Sequence, residues 1–158
     1  MKNICGYSKN DLKVIREFIK SINNEITVRI SPNGEFCVLF LTYKLHLGMK
    51  KKPDYEKEVW KKWYRQQKFY NGEDINPTIL SILHEIGHFQ TFNVEEWTTR
   101  NKEVNKALDL YYDNKIDMET LNFMYWDTIN EYKATQWAID YYVNNKAKCE
   151  CLAREIRV

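Results

Sequence analysis

Two of the three histidines of this chain stand four residues apart, in the segment His84-Glu85-Ile86-Gly87-His88. Residues at this spacing share one face of an α-helix, about one turn apart. Asn76-Pro77 supplies a helix start, because it places a capping side chain directly before a proline at the first helical position. Apolar residues at Ile79, Leu83 and Ile86 continue the helical pattern. The segment therefore predicts a helix from residue 77 to about residue 92, with both imidazoles on one side.

The pattern H-E-x-x-H on a helix is typical of a catalytic zinc site. His84 and His88 can each give one ring nitrogen to the same Zn²⁺ ion, so we expect one zinc ion per chain. Glu85 lies next to the metal without being a ligand, and its carboxylate is placed to act as the general base. The competing interpretation is a pair of satisfied core histidines with a surface glutamate between them. A buried helix face seldom needs two imidazoles around a carboxylate, so the metal site is favoured.

A catalytic zinc site needs a third protein ligand, and the spacing of the chain leaves its identity open. His46 lies far upstream on a predicted strand. The position used in the extended metzincin pattern is Val94, which excludes that class. The downstream carboxylates are Glu95, Glu96, Glu103, Glu119, Asp127, Glu131 and Asp140. Glu95 and Glu96 fit the cap of the next helix, where the helix dipole stabilises a negative charge. A ligand carried by a second long helix packed against the first would be held more rigidly. Glu119, Asp127, Glu131 and Asp140 remain as candidates.

The first part of the chain predicts a helix followed by a hairpin. Ser8 and Asp11 have the form of a capping box, and apolar residues at helical spacing extend the helix over 9–23. Segment 26–30 alternates like a strand, and segment 36–47 is mostly apolar. The turn sequence Ser-Pro-Asn-Gly lies between them, so we expect an antiparallel hairpin.

The remainder of the chain predicts mostly helix. Beside the histidine helix, helices are expected over 53–70, 94–113 and 117–142. The tail after residue 144 fits either a short helix or a strand. The predicted fold class is therefore α+β: one compact domain over residues 1–158, mostly helical, with a small antiparallel β-sheet.

Composition narrows the function classes. The net charge of +2 comes from 24 basic and 22 acidic residues, which favours neither a nucleic acid nor a membrane as partner. No apolar run is long enough to span a bilayer, and no signal peptide begins the chain, so we expect a soluble, cytoplasmic protein. Cys5, Cys37, Cys149 and Cys151 are then expected to be free thiols. A second metal site at the C-x-C pair is the less favoured alternative.

A second motif lies downstream and carries a resemblance. The segment Glu131-Tyr132-Lys133-Ala134-Thr135-Gln136-Trp137-Ala138 resembles the second signature of the ImmA/IrrE-like family of phage and bacterial zinc metallopeptidases. In that family an HE-x-GH helix is followed by a helix reading roughly E-x-E-A-N-x-F-A. Lys133 replaces the second glutamate and Thr135 replaces the asparagine or aspartate. The resemblance implies a compact zincin-like domain with Glu131 as the third metal ligand, and helix 53–70 would be an insertion into it.

The motifs together predict a zinc-dependent endopeptidase with Glu85 as general base. The resemblance implies cleavage of an intracellular protein substrate, such as a repressor. An exposed strand edge of the hairpin would pair with an extended segment of that substrate. The alternative is a non-catalytic interaction or regulatory protein that retains a zincin scaffold. An intact Glu85 argues against that alternative, because a purely structural metal site needs no general base.

Overall fold

The computed structural model describes residues 6–30, 37–39, 44–47 and 55–158. Helices make up most of the described chain, which agrees with the α+β class in broad terms. The helices are α1 (Lys9–Lys20), α2 (Tyr55–Tyr64), α3 (Pro77–Gln90), α4 (Val94–Tyr112), α5 (Met118–Trp126), α6 (Ile129–Asn144) and α7 (Lys146–Ile156). The strands are β1 (Thr27–Ile30), β2 (Cys37–Leu39) and β3 (Lys44–Leu47).

The three strands form a mixed sheet in the order β1-β3-β2. β1 pairs with β3 in parallel, with Val28 opposite Leu45. β2 pairs with β3 antiparallel, with Val38 opposite Leu45. The prediction of a small antiparallel sheet is therefore wrong in part, because only one of the two strand pairings is antiparallel. Alternation of apolar residues identifies a strand but carries no information about its partner, and β3 lies between the two strands expected to be neighbours.

The expected continuous strand over 36–47 corresponds to two described strands, β2 and β3, which pair with each other. The turn at residues 31–34 lies outside the described residues. The capping box at the start of α1 is confirmed: Ser8 N–H donates to Asp11 Oδ2 at 2.7 Å, and Asp11 N–H donates to Ser8 Oγ at 3.1 Å. α1 ends at Lys20, three residues before the expected end.

α3 is the most deeply buried helix of the described chain. It begins as the sequence predicts, because Asn76 Oδ1 accepts hydrogen bonds from the amides of Thr78 at 3.0 Å and Ile79 at 3.2 Å. Its apolar side chains are almost completely buried, among them Ile79, Leu80, Ile82, Leu83 and Ile86. Apolar burial of this kind contributes about 25 cal/mol per Å², so the core fixes the helix carrying both histidines.

The single helix expected over 117–142 is two helices, α5 and α6, with a break at Asp127 and Thr128. Thr128 is extended (φ −61°, ψ 143°), and its hydroxyl donates to the carbonyl of Tyr125 at 2.7 Å. Asp127 Oδ1 accepts a hydrogen bond from Trp63 Nε1 of α2 at 2.8 Å. Short polar side chains that bond to nearby backbone compete with the helix, which explains the break.

The chain after residue 144 is helical, since α7 occupies Lys146–Ile156. α2 ends at Tyr64, six residues before the expected end.

None of the helices in the described ranges combines the length and apolarity that a membrane span needs.

Candidate metal centre

The backbones of α3 and α6 approach unusually closely at Gly87 and Ala134. A Cβ atom placed on Gly87 would lie 2.5 Å from the carbonyl oxygen of Ala134. Only glycine fits at this point, because real Cβ atoms do not come so close to a backbone oxygen. Gly87 belongs to the histidine motif and Ala134 to the downstream motif, so this contact brings the two motifs together.

The histidines of α3 converge on one carboxylate of α6. His84 Nε2 lies 3.1 Å from Glu131 Oε2, and His88 Nε2 lies 3.3 Å from the same oxygen. His84 and His88 are each 8% exposed and Glu131 is 3% exposed, so the cluster is shielded from solvent. Glu85 Oε1 lies 3.9 Å from His84 Nε2, beside the cluster. All four residues expected from the sequence therefore lie together.

Neighbouring side chains fix the ring of His84 on two further sides. Thr135 Oγ1 lies 3.0 Å from His84 Nδ1. With a metal ion bound, Nδ1–H would donate to this hydroxyl and leave the Nε2 lone pair for the metal, whereas without one Nε2–H donates to Glu131 Oε2 at 3.1 Å. The indole ring of Trp60 packs edge-on against the imidazole, with 5.3 Å between ring centroids. Thr135 thus contacts the histidine, at the position where the signature that this segment resembles carries asparagine or aspartate.

The second oxygen of Glu131 is bound by Arg100 of α4. Arg100 Nη2 lies 3.3 Å from Glu131 Oε1 and donates to the hydroxyl of Tyr125 at 2.8 Å. The guanidinium carbon lies 4.9 Å from the ring centroid of Trp97 and 5.0 Å from that of Tyr125. Cation–π contacts on two rings orient a guanidinium firmly. Glu131 is therefore held from both ends of its carboxylate.

The pKa values reflect this burial and pairing. Burial lowers the pKa of His84, and the neighbouring His88 lowers it further. Burial also opposes charge on His88, but the carboxylate of Glu131 outweighs it and raises the pKa of His88. Burial would raise the pKa of Glu131, yet His88 and His84 hold it well below its usual value. Glu131 is thus an anion facing two imidazole nitrogens, an arrangement that suits a cation.

Glu85 behaves differently from Glu131. Burial raises its pKa to about 8, and His88 opposes that shift only in part. A carboxyl group with a pKa near neutral exchanges protons readily at physiological pH. Two carboxyl groups on adjacent helices therefore have opposite tendencies, one to remain ionised and one to accept and release a proton.

The donor atoms fit a zinc ion. Two imidazole nitrogens and one carboxylate oxygen are a typical catalytic zinc ligand set, and the usual fourth position is left for water or substrate. Ligands about 2.0–2.2 Å from a tetrahedral zinc lie roughly 3.3–3.6 Å from one another. The 3.1 Å and 3.3 Å separations between the histidine nitrogens and Glu131 Oε2 are close to that spacing. His84, His88 and Glu131 are the residues that would hold the ion.

The other carboxylates considered as third ligands lie elsewhere. Glu119 pairs with Lys62, Asp127 accepts from Trp63, and Glu96 pairs with Lys133. Three more are exposed on their helices: Glu95, Glu103 and Asp140. His46 lies in β3, where its backbone pairs with that of Cys37 and Arg29.

The cysteines of the C-x-C pair differ in environment. Cys149 is buried and Cys151 is exposed, and both are free thiols. Within the described part of the chain, ligand atoms of His84, Glu85 and His88 lie within 4.8 Å of one another, and no cysteine belongs to this group. Cys5 lies outside the described residues, as does the side chain of Cys37.

Three residues that surround the histidines and Glu131 could not be predicted from the sequence. Arg100 and Tyr125 lie in helices without a motif, and Trp60 lies in the helix interpreted as an insertion. Their roles depend on how α2, α4 and α5 pack around α3 and α6, which residue spacing does not encode.

Searches against protein-family models, curated proteins and solved structures found no match to this chain. The resemblance to the ImmA/IrrE-like family consequently depends on the two motifs alone.

Proposed function

We propose that this protein is a zinc-dependent endopeptidase. The proposal depends on one observation above all: His84 Nε2 and His88 Nε2 lie 3.1 Å and 3.3 Å from the same oxygen of Glu131. Two satisfied core histidines would not need a buried anion shared between them, since each could bond to backbone or water. The adjacent Glu85, whose burial raises its pKa to about 8, adds a group suited to proton transfer.

Each residue of the site would have a separate role in peptide hydrolysis. A zinc ion held by His84, His88 and Glu131 would polarise the scissile carbonyl and lower the pKa of a water ligand to about 7. Glu85 takes the proton from the attacking water and returns it to the leaving amine. Thr135 keeps the ring of His84 in the orientation that directs Nε2 to the site.

The proposed substrate is a protein or peptide segment in an extended conformation. β2 lies against α3 and ends the strand order of the described sheet. A strand with one neighbour can pair with an added strand, and that pairing would bring the substrate backbone alongside the histidine helix. The more specific proposal of an intracellular protein such as a repressor has its support in the family resemblance.

The experiment compares wild type with Glu85→Gln and Glu131→Gln. Zinc content is measured after dialysis, and cleavage is measured by mass spectrometry of a proteome-derived peptide library. Glu85→Gln should retain zinc and lose at least about 100-fold in cleavage rate, because general acid–base catalysis contributes about 10²–10⁴-fold. Glu131→Gln should lose zinc and activity together, because a neutral amide replaces an anionic ligand.

Cleavage by Glu85→Gln at the wild-type rate would refute the peptidase mechanism. Zinc bound by wild type without any cleavage, and unaffected by Glu85→Gln, would favour the interaction protein with a retained scaffold. Full zinc occupancy in His88→Ala would show that the site assignment itself is wrong.

A further inference from the structure

Glu131 is bound through both of its oxygens, by different partners. Oε2 faces the two histidines, whereas Oε1 lies 3.3 Å from Arg100 Nη2. A carboxylate can give a metal either one oxygen or both, and the choice changes the number of ligands around the ion. A metal that also took Oε1 would compete with Arg100 for the electron density of that oxygen, so the ion pair disfavours binding through both oxygens.

The position of Arg100 is itself well fixed. Its side chain is 15% exposed, and its guanidinium lies between the rings of Trp97 and Tyr125 at 4.9 Å and 5.0 Å. Nη2 also donates to the hydroxyl of Tyr125 at 2.8 Å. An exposed lysine or arginine would lose much of such a contact to solvent and side-chain freedom, but a buried, stacked guanidinium does not.

We infer that Arg100 is a positioning residue that confines Glu131 to one-oxygen ligation and thereby selects zinc over divalent ions of higher coordination number. The inference depends on the proposed metal site. With His84, His88 and one oxygen of Glu131 as ligands, a single open position completes a tetrahedron, which suits zinc. A two-oxygen Glu131 would add a ligand and favour ions such as Mn²⁺, which take six ligands, mostly oxygen.

The decisive variant is Arg100→Gln, with Lys133→Gln as its matched control. Lys133 also lies near the site, on α6, but it pairs with Glu96 instead of Glu131. Both substitutions remove one positive charge, so both change the attraction of the site for any divalent cation. The ratio of the Mn²⁺ and Zn²⁺ dissociation constants cancels that shared effect, because the two ions carry the same charge.

Two quantities are measured, neither of which is activity. The first is the ratio of the dissociation constants for Mn²⁺ and Zn²⁺, obtained by competition with a chromophoric chelator. The second is the visible spectrum of the Co²⁺-loaded protein, whose intensity falls as coordination rises above four. Arg100→Gln should lower the Mn²⁺/Zn²⁺ ratio by about tenfold or more, the scale on which residues that orient metal ligands act. It should also weaken the Co²⁺ bands, whereas Lys133→Gln should leave the ratio and the bands at wild-type values.

An Arg100→Gln protein with wild-type ratio and wild-type bands would overturn the inference. Should that variant fail to fold, Tyr125→Phe removes a hydroxyl that accepts from Arg100 and also hydrogen-bonds with Glu131. Loss of both contacts should free the carboxylate and produce a smaller change in the same direction. No change in Tyr125→Phe would then overturn the inference. A wild type that binds zinc through His84 and His88 but cleaves nothing refutes the proposed function alone, while a wild type that binds no metal refutes both.

Discussion

Thr135 Oγ1 lies 3.0 Å from Nδ1 of His84, on the side of the imidazole away from the nitrogen that faces Glu131. Both residues are buried, and Thr135 has no exposed surface. We expect Thr135→Val to weaken zinc binding by about 10–100-fold, because a partner that orients a ligand histidine contributes on that scale. Competition with a chromophoric chelator measures the change.

Thr135→Ser is the control for that prediction. Serine keeps the hydroxyl and removes only a methyl group, so zinc affinity should stay near the wild-type value. Equal affinities in Thr135→Val and wild type would show that the hydroxyl does not orient His84.

Gly87→Ala tests the close approach of α3 and α6. Glycine is destabilising within a helix by about 0.5–1 kcal/mol relative to alanine, so this exchange usually stabilises a protein. Here the new Cβ would lie 2.5 Å from the carbonyl oxygen of Ala134. We expect the opposite sign: the free energy of unfolding should fall by about 1–3 kcal/mol, the usual effect of overpacking. Urea unfolding measures it, and an increase in stability would contradict the contact.

Glu85→Gln should change how the stability of the metal-free protein depends on pH. Burial raises the pKa of Glu85 in the folded chain from 4.5 to about 8. A raised carboxyl pKa means that stability is fully present below about pH 4.5 and is lost as the pH rises towards 8. Glutamine does not titrate, so the variant should become progressively more stable than wild type across this range, by an amount of the order of a few kcal/mol.

Urea unfolding in the presence of a chelator at pH 5, 6.5 and 8 measures that difference. Glu103→Gln, at an exposed position of α4, serves as control and should show a constant difference. Added zinc should reduce the effect for Glu85→Gln, because a nearby cation lowers a carboxyl pKa. A difference between Glu85→Gln and wild type that is independent of pH would argue against the burial of this carboxyl.

The two cysteines of α7 should differ in reactivity. Burial raises the pKa of Cys149 to about 11, whereas Cys151 is exposed. The thiolate is the reactive form, so a thiol reagent should modify Cys151 in the native protein far faster than Cys149. Cys151→Ser should remove one rapidly reacting thiol, and Cys149→Ser should remove none. Zinc content should be unchanged in both, and its loss in either variant would assign the cysteines a role in the metal site.

Helix positions were largely predictable, because local signals define them. Asn76 and Pro77 mark the start of α3, and the capping box of Ser8 and Asp11 marks the start of α1. The sheet was only partly predictable, since alternation does not name a partner strand and β1 pairs with β3. The break between α5 and α6 involves a local bond from Thr128 to the carbonyl of Tyr125 and a bond to Asp127 from Trp63. Trp63 is distant in sequence, so the local pattern does not predict the break.

In the candidate site, too, local sequence predicts some residues, whereas others depend on tertiary packing. His84, Glu85 and His88 follow from one local motif, and helical geometry explains why they lie together. Residue spacing does not separate Glu131 from several other carboxylates, because its distance from the histidines depends on how two helices pack, and only the resemblance of the second motif points to it. Arg100 and Trp60 reach the cluster from helices with no motif, so only tertiary structure reveals them.

The break at Asp127 and Thr128 has a consequence for the charge on Glu131. Because α6 begins at Ile129, Glu131 lies in the first turn of a helix instead of the middle of a longer one. Amide groups in a first turn lack helical acceptors and carry partial positive charge, which favours an anion by about 0.3–1 kcal/mol, and by up to about 2 kcal/mol where it is partly buried. A substitution that joined α5 to α6 would leave every proposed ligand in place, and yet it would remove an electrostatic contribution that helps to keep the third one ionised.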